Sequence, residues 1–477
     1  MFLLNFKQIY YLRSHTKIHL SFMKNILIIG AGKSSSSLIK YLLEKSNKEN
    51  LMLTIGDIST ENALKLIDNH KNAEAIQLDV FDNIQREKVI KRSDIVISML
   101  PARFHTEVAK DCIKFKKHMV TASYVSKEMK KLDEIVKKNN LVFMNEIGLD
   151  PGLDHMSAMQ AIDSIREKGA KLLLFESFCG GLVAPESDNN LWNYKFTWNP
   201  RNVVLAGQGG AAMFIQESTY KYIPYHKLFR RTEFLEVNGK KFEAYANRDS
   251  LKYRKAYGLE NIPTMYRGTV RKVGFSRAWN IFIQLGMTDD SYCIENSENM
   301  SYRDFVNLFL AYSPSDSVEL KLRSYLKIDQ DDIMWEKLIE LDIFNPKKKV
   351  GLKNATPAQM LQKILQDSWT LKEHDKDMIV MQHLFGYEIN GEKSQIESSL
   401  IVLGENQTYT AMAKTVGLPV AIAALKILKG EIKTPGVQIP ISKEVYQPIL
   451  KELENYGIIF KEKQVPYLGY NPENVIG

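Results

Sequence analysis

The chain has 477 residues, of which 44% are hydrophobic and 25% charged, so it has the length for several domains and the composition of a soluble globular protein. The formal net charge is +8, but lysines and acids are interleaved along stretches such as KEMKKLDEIVKK, so no nucleic-acid partner is predicted. Three widely spaced cysteines, Cys112, Cys179 and Cys293, form neither a disulfide framework nor a metal-ligand pattern. No metal is therefore predicted, and a reducing, cytoplasmic setting is favoured.

Residues 1–22 are aromatic and basic, and charged residues interrupt their apolar stretches. They lack the small-residue cleavage site of a signal peptide, and the first predicted strand begins directly after Met23. We therefore expect this leader to be non-native or disordered, with an amphipathic extension or import sequence as the alternative. No apolar run is expected to be long enough to cross a bilayer, so no membrane partner is predicted.

The segment from Lys24 to Ser35, KNILIIGAGKSS, is a short apolar run that ends in two glycines and continues as a helical pattern. Gly30 would allow the tight turn out of a strand, and Gly32 would let a pyrophosphate approach N–H groups at the helix N-terminus. The third position of the fingerprint is Ser35, whose larger side chain is expected to loosen the packing of helix on strand. The pattern predicts a dinucleotide site, with an ordinary strand-turn-helix as the alternative.

A second buried strand, LMLTI, ends in Gly56 and Asp57. An acid at this point normally accepts hydrogen bonds from the adenosine ribose and would repel a 2′-phosphate. No basic residue follows in the segment DISTEN, so the sequence favours NAD, with NADP as the alternative. Without a nucleotide, Asp57 would be a surface turn residue.

Strands such as DIVISMLP, HMVTASYV and LVFMNEIG then alternate with helical stretches. This alternation predicts an α/β fold with a doubly wound parallel sheet, the Rossmann type, over residues 23–146. In such sheets ligands lie at the carboxyl ends of the strands. The residues expected at those ends are Gly30, Asp57, Asp79, Leu100, Pro101, Ser123, Tyr124 and Gly148.

From residue 147 onward the predicted strands become longer and alternate apolar with polar residues, as in YRGTVRKVGF and QIESSLIVLG. They predict a mixed α+β domain for substrate binding and dimerisation, formed by residues 147–300, 379–407 and 431–477. Residues 301–378 are predicted to be a helical insert, and residues 408–430 a buried helix that returns to the nucleotide domain. Alternating aromatic residues from Trp192 to Trp198 predict a half-buried strand.

Several dispersed motifs give the chain a more specific likeness. The segments EIGLDPGLDH, SFCGGL, APES, YKFTW, NRDS, RGTVR and TAMAKTVG are similar to those of the glutamate-forming saccharopine dehydrogenases, also called saccharopine reductases. The likeness extends from about Met23 nearly to the end of the chain and is weaker in the helical insert. It implies an NAD(P)-dependent oxidation of saccharopine, a secondary amine joining lysine and glutamate skeletons, to glutamate and α-aminoadipate semialdehyde, or the reverse reaction.

The resemblance also assigns residues to the two ligands. Cofactor contacts carried over from the family are Gly30, Ala31, Gly32, Lys33, Asp57, Asp79, Val80, Leu100, Ser123, Leu149, Asp150, Pro151 and Trp198. Substrate contacts carried over are Ser123, Tyr124, Asp150, Arg248, Thr269, Val270 and Arg271. Family members that use NADP carry a basic residue after the second strand, whereas this chain has Asp57 and then Ile58, which again favours NAD.

The residue types suit such a substrate, because saccharopine carries three carboxylates and a primary ammonium besides its secondary amine. Arg248 and Arg271 can each hold a carboxylate through two parallel hydrogen bonds, a geometry that lysine cannot reproduce. Asp150 is expected to pair with the substrate ammonium. The alternatives are surface ion pairs of the arginines with Asp249 or Glu243, and a turn-capping role for the aspartate.

Oxidation at the lysine-side carbon requires the secondary amine to lose its proton first, because a cationic nitrogen cannot donate electrons to the forming imine. Tyr124 and Asp150 are the predicted catalytic residues, with His155 and Cys179 as further candidates for proton transfer. The last two have structural alternatives, as a satisfied buried histidine and a small core residue. Orientation of the substrate over the nicotinamide is the alternative to a dedicated catalyst.

Two other functions stay open at this point. A related amine-linking dehydrogenase, such as one that makes carboxynorspermidine, would share the nucleotide domain but need fewer carboxylate contacts. A catalytically silent NAD(H)-binding protein would keep the glycine loop and lose the substrate residues. For the enzyme we expect a small-molecule substrate as partner and a homodimer.

Overall fold

The computed structural model of the chain describes residues 23–476, and the predicted leader, residues 1–22, lies outside these residues. Seven short strands form the first sheet: β1 (Lys24–Ile29), β2 (Leu51–Asp57), β3 (Ala73–Gln77), β4 (Ile95–Ser98), β5 (His118–Val120), β6 (Val142–Met144) and β15 (Gly436–Gln438). All neighbours are parallel, in the order β15-β6-β5-β4-β1-β2-β3. Their carboxyl ends therefore share one edge of the sheet.

Helices cover both faces of this sheet: α1 (Ser36–Glu49), α2 (Thr60–Ile67), α3 (Asn83–Arg92), α4 (His105–Lys114), α5 (Lys127–Lys130), α6 (Asp133–Lys138) and α15 (Ala411–Leu428). Alternate residues of β1 enter different cores, as expected for a strand buried on both faces. Ile26 and Ile28 pack with α1 and α15, whereas Leu27 and Ile29 pack with α3 and α4. The predicted doubly wound fold is confirmed.

Helix α15 packs along α1, and after it the chain adds β15 to the first sheet beside β6. Residues 436–438 had been predicted to belong to the substrate domain, so the returning segment extends beyond residue 430. Among residues 23–476, α15 is the one helix long and apolar enough to cross a membrane, contrary to the expectation that no run would be. Because 78% of it is buried inside the protein, its apolar composition is that of a core helix.

The second sheet has ten strands, which are β7 (Lys171–Val183), β8 (Ala212–Gln216), β9 (Thr219–Ile223), β10 (Thr232–Val237), β11 (Lys240–Ala246), β12 (Thr264–Arg271), β13 (Asp377–Ile389), β14 (Glu392–Leu403), β16 (Lys461–Pro466) and β17 (Val475–Ile476). Its main path is β16-β14-β13-β7-β12-β11-β10-β17, with β8 and β9 attached beside β12. The pairs are antiparallel except β7 with β12, which is parallel. This long sheet is the framework of the second domain.

The remaining helices are α7 (Leu153–Glu167), α8 (Pro200–Val204), α9 (Tyr225–Leu228), α10 (Phe275–Leu285), α11 (Tyr302–Asn307), α12 (Val318–Leu326), α13 (Ile333–Glu340), α14 (Pro357–Trp369) and α16 (Lys443–Glu454). Helices α11 to α14 fall within the predicted helical insert. They share a core with α10 and with Trp192, whose ring stacks on Phe282 at a centroid distance of 5.7 Å.

The strand predicted from Trp192 to Trp198 is wrong. This segment is irregular, with a single bridge from Phe196 to Thr370. Its aromatic side chains are buried because they pack edge-on against Trp369 of α14, at centroid distances of 5.2 Å for Trp192 and 5.4 Å for Phe196. The alternation therefore reflects packing in the second core and not a strand.

Candidate active site

The glycine loop follows β1 and passes through a 3-10 helix, Lys33–Ser35, into α1. Gly30 has a φ of +106°, and a Cβ at this position would lie 2.9 Å from the carbonyl oxygen of Met99. Around the Cβ position of Gly32, no heavy atom of the described chain lies within 4 Å, chain neighbours aside. The loop thus combines a tight turn at its first glycine with open space at its second, which fits a bound pyrophosphate.

Ser35 does not loosen the loop as expected. The residue is 1% exposed, and its hydroxyl donates a hydrogen bond of 2.9 Å to the carbonyl of Gly30. Its backbone N–H donates to the carbonyl of Gly32, also at 2.9 Å. The serine therefore closes the turn with two hydrogen bonds instead of a small-residue contact.

Asp57 stands at the carboxyl end of β2, but its carboxylate already has partners within the protein. Oδ2 accepts a hydrogen bond of 2.7 Å from the backbone N–H of Ala31, and Oδ1 lies 3.3 Å from the backbone nitrogen of Ser59. Asp57 therefore fixes the glycine loop to the second strand whichever coenzyme is bound. The predicted preference for NAD loses its main support.

The other predicted cofactor residues of the first domain lie after β3, β4, β5 and β6 at the same sheet edge, and they are Asp79, Val80, Leu100, Ser123, Leu149, Asp150 and Pro151. Lys33 is exposed on the loop itself. Trp198 comes from the second domain, where it is half-buried and packs against both large cores. The fold thus brings the predicted cofactor residues at the strand ends to one edge of the sheet. Trp198 is distant from them in the chain and belongs to the second domain.

Ser123 is held by a buried histidine that sequence reasoning missed. His105 Nε2 lies 2.7 Å from Ser123 Oγ, and Nδ1 lies 2.8 Å from Ser98 Oγ. Burial lowers the pKa of His105 to about 4, so the ring is neutral at physiological pH. Its one N–H can then point to only one of the two hydroxyls, which links the orientation of Ser123 to that of Ser98.

Arg267 of β12 is a buried guanidinium that joins the strand of the second sheet to the segment after β6. Its Nη2 donates hydrogen bonds to Asp150 Oδ1 at 2.6 Å and to Asp154 Oδ2 at 2.7 Å. Burial raises the pKa of Asp150, against the opposing charge of Arg267. Burial also acts on Asp154, but His155 and Arg267 outweigh it and lower the pKa of that carboxyl. In the described chain Asp150 Oδ2 has no hydrogen-bond partner, so this oxygen is free to meet a ligand.

A third buried carboxylate, Glu146, lies near Arg267, since both residues contact Tyr253. Glu146 accepts hydrogen bonds from Tyr253 Oη at 2.7 Å and from the backbone N–H of Val125 at 2.9 Å, and His155 Nε2 lies 3.0 Å from it. Its burial raises the pKa, but the contact with His155, the Val125 N–H and the charge of Lys252 bring the pKa down to about 2. His155 is fully buried and its other nitrogen contacts Tyr257 Oη. The histidine is thus a satisfied structural residue.

Tyr124 and Cys179, two other predicted residues, differ in their exposure to solvent. Tyr124 is 45% exposed, with its hydroxyl 3.4 Å from Asp150 Oδ1. Partial burial and the charge of Asp150 raise the pKa of Tyr124, so the phenol stays protonated and can donate. Cys179 is 7% exposed, and burial followed by the charges of Asp150 and Asp154 raises the pKa of its thiol. A thiol held protonated in this way is a poor base.

Strand β12 carries the predicted RGTVR residues. Arg267, Thr269 and Arg271 occupy alternate positions and so belong to one face of the strand. Thr269 is half-buried between them, next to Cys179 of β7 in the ladder. Val270 belongs to the opposite set, where its side chain packs in the second core. Only the backbone of Val270 is directed to the arginines, since its carbonyl accepts a hydrogen bond of 2.9 Å from Arg271 Nη1.

Arg271 is 5% exposed and lies against the rings of Tyr194, Tyr245 and Phe275, at 5.2 to 5.7 Å from their centroids. Its Nε and the hydroxyl of Tyr194 are buried with no hydrogen-bond partner in residues 23–476. Arg248 is exposed on the loop after β11. Within the same residues neither arginine forms an ion pair, so the alternative pairing with Asp249 or Glu243 is wrong.

Two arginines without an ion pair, Arg248 and Arg271, and a free oxygen of Asp150 are thus found on segments linked to the strand ends of the first sheet through the pair of Arg267 with Asp150. No group of three or more histidine, cysteine, aspartate or glutamate side chains in the described part of the chain is placed to hold a metal ion.

Sequence reasoning missed Arg267, Glu146 and Lys252. Arg267 opens the same RGTVR motif that Arg271 closes. The two residues are four apart, so in a strand they belong to the same face, and this spacing could have identified Arg267 as a candidate. Glu146 and Lys252 carried no local signal, because their role depends on contacts between segments 106 or more residues apart.

The doubly wound domain with its open glycine loop, joined to a second domain through the ion pair of Arg267 with Asp150, defines the class of two-domain, dinucleotide-dependent oxidoreductases. Two family models agree with this class. The saccharopine dehydrogenase NADP binding domain matches residues 26–144, and the saccharopine dehydrogenase C-terminal domain matches residues 148–458. The chain belongs to the saccharopine dehydrogenase family.

Similar proteins extend this finding. The saccharopine dehydrogenase [NADP(+), L-glutamate-forming] of Saccharomyces cerevisiae is 33% identical over 452 residues, which cover 93% of this chain and 99% of the relative. The mitochondrial alpha-aminoadipic semialdehyde synthase of Mus musculus is also 33% identical, but the match spans only 48% of that longer protein. A solved apo saccharopine dehydrogenase (L-Glu forming) from S. cerevisiae superposes with a TM-score of 0.83, 33% identity and coverage of 93% of this chain and 100% of that one.

A homospermidine synthase from Legionella pneumophila, solved with NAD, covers 94% of this chain at a TM-score of 0.53 but only 10% identity, which is a likeness of fold alone. The family model of the first domain and the saccharopine dehydrogenase of S. cerevisiae are described by NADP, not NAD. The expectation of NAD from Asp57 is therefore not supported, in agreement with the hydrogen bond that occupies this carboxylate.

Proposed function

We propose that the protein oxidises saccharopine with NADP⁺ and water to L-glutamate and α-aminoadipate semialdehyde, or catalyses the reverse reductive condensation. The observation that carries this proposal is Arg271, a buried guanidinium that forms no ion pair in the described chain and belongs to the same face of β12 as Arg267, which holds Asp150. A buried cation is costly unless an anion neutralises it. Bound substrate would supply that anion, and the named relatives support saccharopine as its source.

NADP⁺ bound at the sheet edge would supply the hydride acceptor. Gly32 leaves space for the pyrophosphate, and the hydrogen bond from Ala31 to Asp57 keeps the loop in place for it. His105 fixes Ser123 at the strand end where cofactor and substrate sets overlap. The preference for NADP over NAD rests on the relatives, since Asp57 is engaged within the protein.

On the substrate side, Arg271 would hold one carboxylate in the aromatic pocket that Tyr194 and Tyr245 form, and Arg248 a second one at the exposed loop. Low exposure strengthens the first of these contacts because the site excludes water. The second contact is solvated and would contribute less.

For proton transfer we propose Asp150 with Tyr124. Asp150 Oδ2 is the free oxygen of a carboxylate whose Oδ1 lies 3.4 Å from the hydroxyl of Tyr124, and it would accept the proton that the secondary ammonium loses before hydride transfer. Arg267 orients this carboxylate, because it holds Oδ1 at 2.6 Å. Cys179 keeps its proton, and His155 is enclosed by Glu146 and Tyr257, so neither is the base.

Purified protein given saccharopine and NADP⁺ at alkaline pH tests this function through the absorbance of NADPH. We expect NADPH to form, more slowly with NAD⁺, and not to form with lysine in place of saccharopine. A spermidine-based amine that is active where saccharopine is not would favour an amine-linking dehydrogenase of another specificity. No NADPH or NADH with any of these substrates would favour a silent nucleotide-binding protein. The homodimer and the cytoplasmic setting stay predictions.

A further inference from the structure

Lys252 lies on the 3-10 helix Ser250–Tyr253, directly after the NRDS motif that contains Arg248. Asp249 caps this helix by accepting hydrogen bonds of 2.9 and 3.0 Å from the backbone N–H groups of Leu251 and Lys252. Ser250 Oγ in turn accepts a hydrogen bond of 2.9 Å from the backbone N–H of Arg267. The backbone of Lys252 is therefore held against the strand that carries the arginines.

The ammonium group of Lys252 lies beside two tyrosine rings, and it donates a hydrogen bond of 3.5 Å to Tyr253 Oη. Its Nζ lies 4.9 Å from the ring centroid of Tyr124 and 5.1 Å from that of Tyr253. The nearest carboxylate oxygen, Glu146 Oε1, is 3.6 Å away, which is longer than a normal hydrogen bond. The Lys252 side chain remains 44% exposed. This cation is thus only partly neutralised by the protein and can reach a ligand beside Tyr124.

The neighbouring charges leave Lys252 available for an anion. Glu146 already accepts hydrogen bonds from Tyr253 and the Val125 N–H and contacts His155, so Lys252 is only one of several groups that stabilise its carboxylate. Arg267 is engaged by two aspartates and has little capacity left. Arg248 and Arg271 form no ion pair within residues 23–476, and Lys252 has one long ion contact, with Glu146 at 3.6 Å, and stays 44% exposed. These three cations are available to the three carboxylates of a tricarboxylate substrate.

We propose that Lys252 is a substrate-binding residue that holds the α-carboxylate of the glutamate half of saccharopine; the assignment rests on the proposed function. Tyr124 and Asp150 flank the reacting nitrogen in that function. The carboxylate nearest to this nitrogen is the one on the glutamate carbon bonded to it. Lys252, in contact with the Tyr124 ring, is the cation next to that position. The two arginines take the other carboxylates.

The reverse reaction tests this assignment, because glutamate and the semialdehyde are then separate substrates whose KM values are measured independently. For Lys252→Gln we expect the KM for glutamate and for saccharopine to rise about 10- to 100-fold, the range for a lost hydrogen bond to a charged group. The KM for the semialdehyde and for NADPH should stay within about twofold of wild type. Lys252→Arg should recover most of the loss, since the charge is kept.

The matched control is Lys255→Gln, which removes the same charge from an exposed position three residues along the chain and should behave like wild type. An unchanged KM for glutamate in Lys252→Gln, a rise only in the KM for the semialdehyde, or a rise in the KM for NADPH would each overturn the assignment. Equal thermal unfolding of both variants separates binding from folding. A wild-type protein that does not turn over saccharopine contradicts the proposed function itself, and the assignment with it.

Discussion

The carboxylate of Asp57 accepts a hydrogen bond of 2.7 Å from the backbone N–H of Ala31, across 26 residues of sequence. An acid at the end of the second strand is usually interpreted as a ligand of the adenosine ribose. In this protein the same carboxylate fastens the glycine loop to the neighbouring strand. Asp57 therefore stabilises the glycine loop even when no coenzyme is bound.

We expect Asp57→Ala to weaken the binding of NADP⁺ and of NAD⁺ by similar factors. Both coenzymes have the same pyrophosphate, and the loop that would hold it loses its hydrogen bond to Asp57. The loss of one charge-assisted hydrogen bond corresponds to about 10-fold in affinity or more. Fluorescence titration with each reduced coenzyme gives the two dissociation constants. A selective gain for the phosphorylated coenzyme would mean that Asp57 acts by repelling the 2′-phosphate, contrary to this account.

The two glycines of the loop should respond differently to substitution. Gly32→Val is expected to leave the unfolding temperature nearly unchanged, since its Cβ position is open and its φ of −73° suits any residue, but to abolish coenzyme binding. Gly30→Ala is the matched control and should lower stability, because of its positive φ and the nearby Met99 carbonyl. Calorimetric unfolding together with coenzyme titration measures both effects. Equal stability losses in the two variants would refute the distinction.

Arg267 is expected to be a major contributor to stability as well as to the site. In Arg267→Met, the buried carboxylates of Asp150 and Asp154 lose their common partner, which should cost about 3–5 kcal/mol. Urea unfolding measures the loss. Adding Asp154→Asn should restore part of it, because one uncompensated charge is removed. A loss below about 1 kcal/mol would show that the aspartates do not depend on this arginine.

Glu146 gives a dependence of stability on pH whose sign follows from its lowered pKa. The folded pKa is about 2, below the value of about 4.3 for an unfolded glutamate, so between these values the unfolded chain binds more protons. The contribution of about 3 kcal/mol is complete above the unfolded pKa and is lost as the pH falls toward 2. The unfolding free energy of Glu146→Gln should therefore vary less with pH between about 5 and 2 than that of wild type. If the unfolding free energies of wild type and Glu146→Gln changed equally with pH, Glu146 would not be the source of this dependence.

Much of the fold could be predicted from the sequence because its signals are local. The alternation of strands and helices defined the parallel sheet, and the ends of its strands gave the coenzyme edge. The segment from Trp192 to Trp198 failed as a strand because its alternating aromatic residues are ordered by contacts with Trp369, more than 170 residues away. Periodicity alone does not distinguish these two causes of burial.

The site residues likewise divide into those that a local motif indicates and those that only contacts in the folded chain reveal. Arg271 and Asp150 could be found because recognisable motifs contain them. The pairing of Arg267 with Asp150 spans 117 residues, and nothing in either motif predicts it. Lys252 was hidden for another reason, since a lysine in a charged loop is ordinary until its neighbours Tyr124 and Glu146 are known. Charge complementarity across a cleft is a property of the folded chain.

Arg271→Met tests whether the buried guanidinium of Arg271, which forms no ion pair in the described chain, is kept for a carboxylate of the substrate. Calorimetric binding of saccharopine and urea unfolding are measured on the same samples of wild type and variant. The account predicts that saccharopine binding weakens at least about 100-fold while the unfolding free energy stays equal or rises, since a buried charge is replaced by an apolar side chain. Unchanged binding together with a large loss of stability would contradict it.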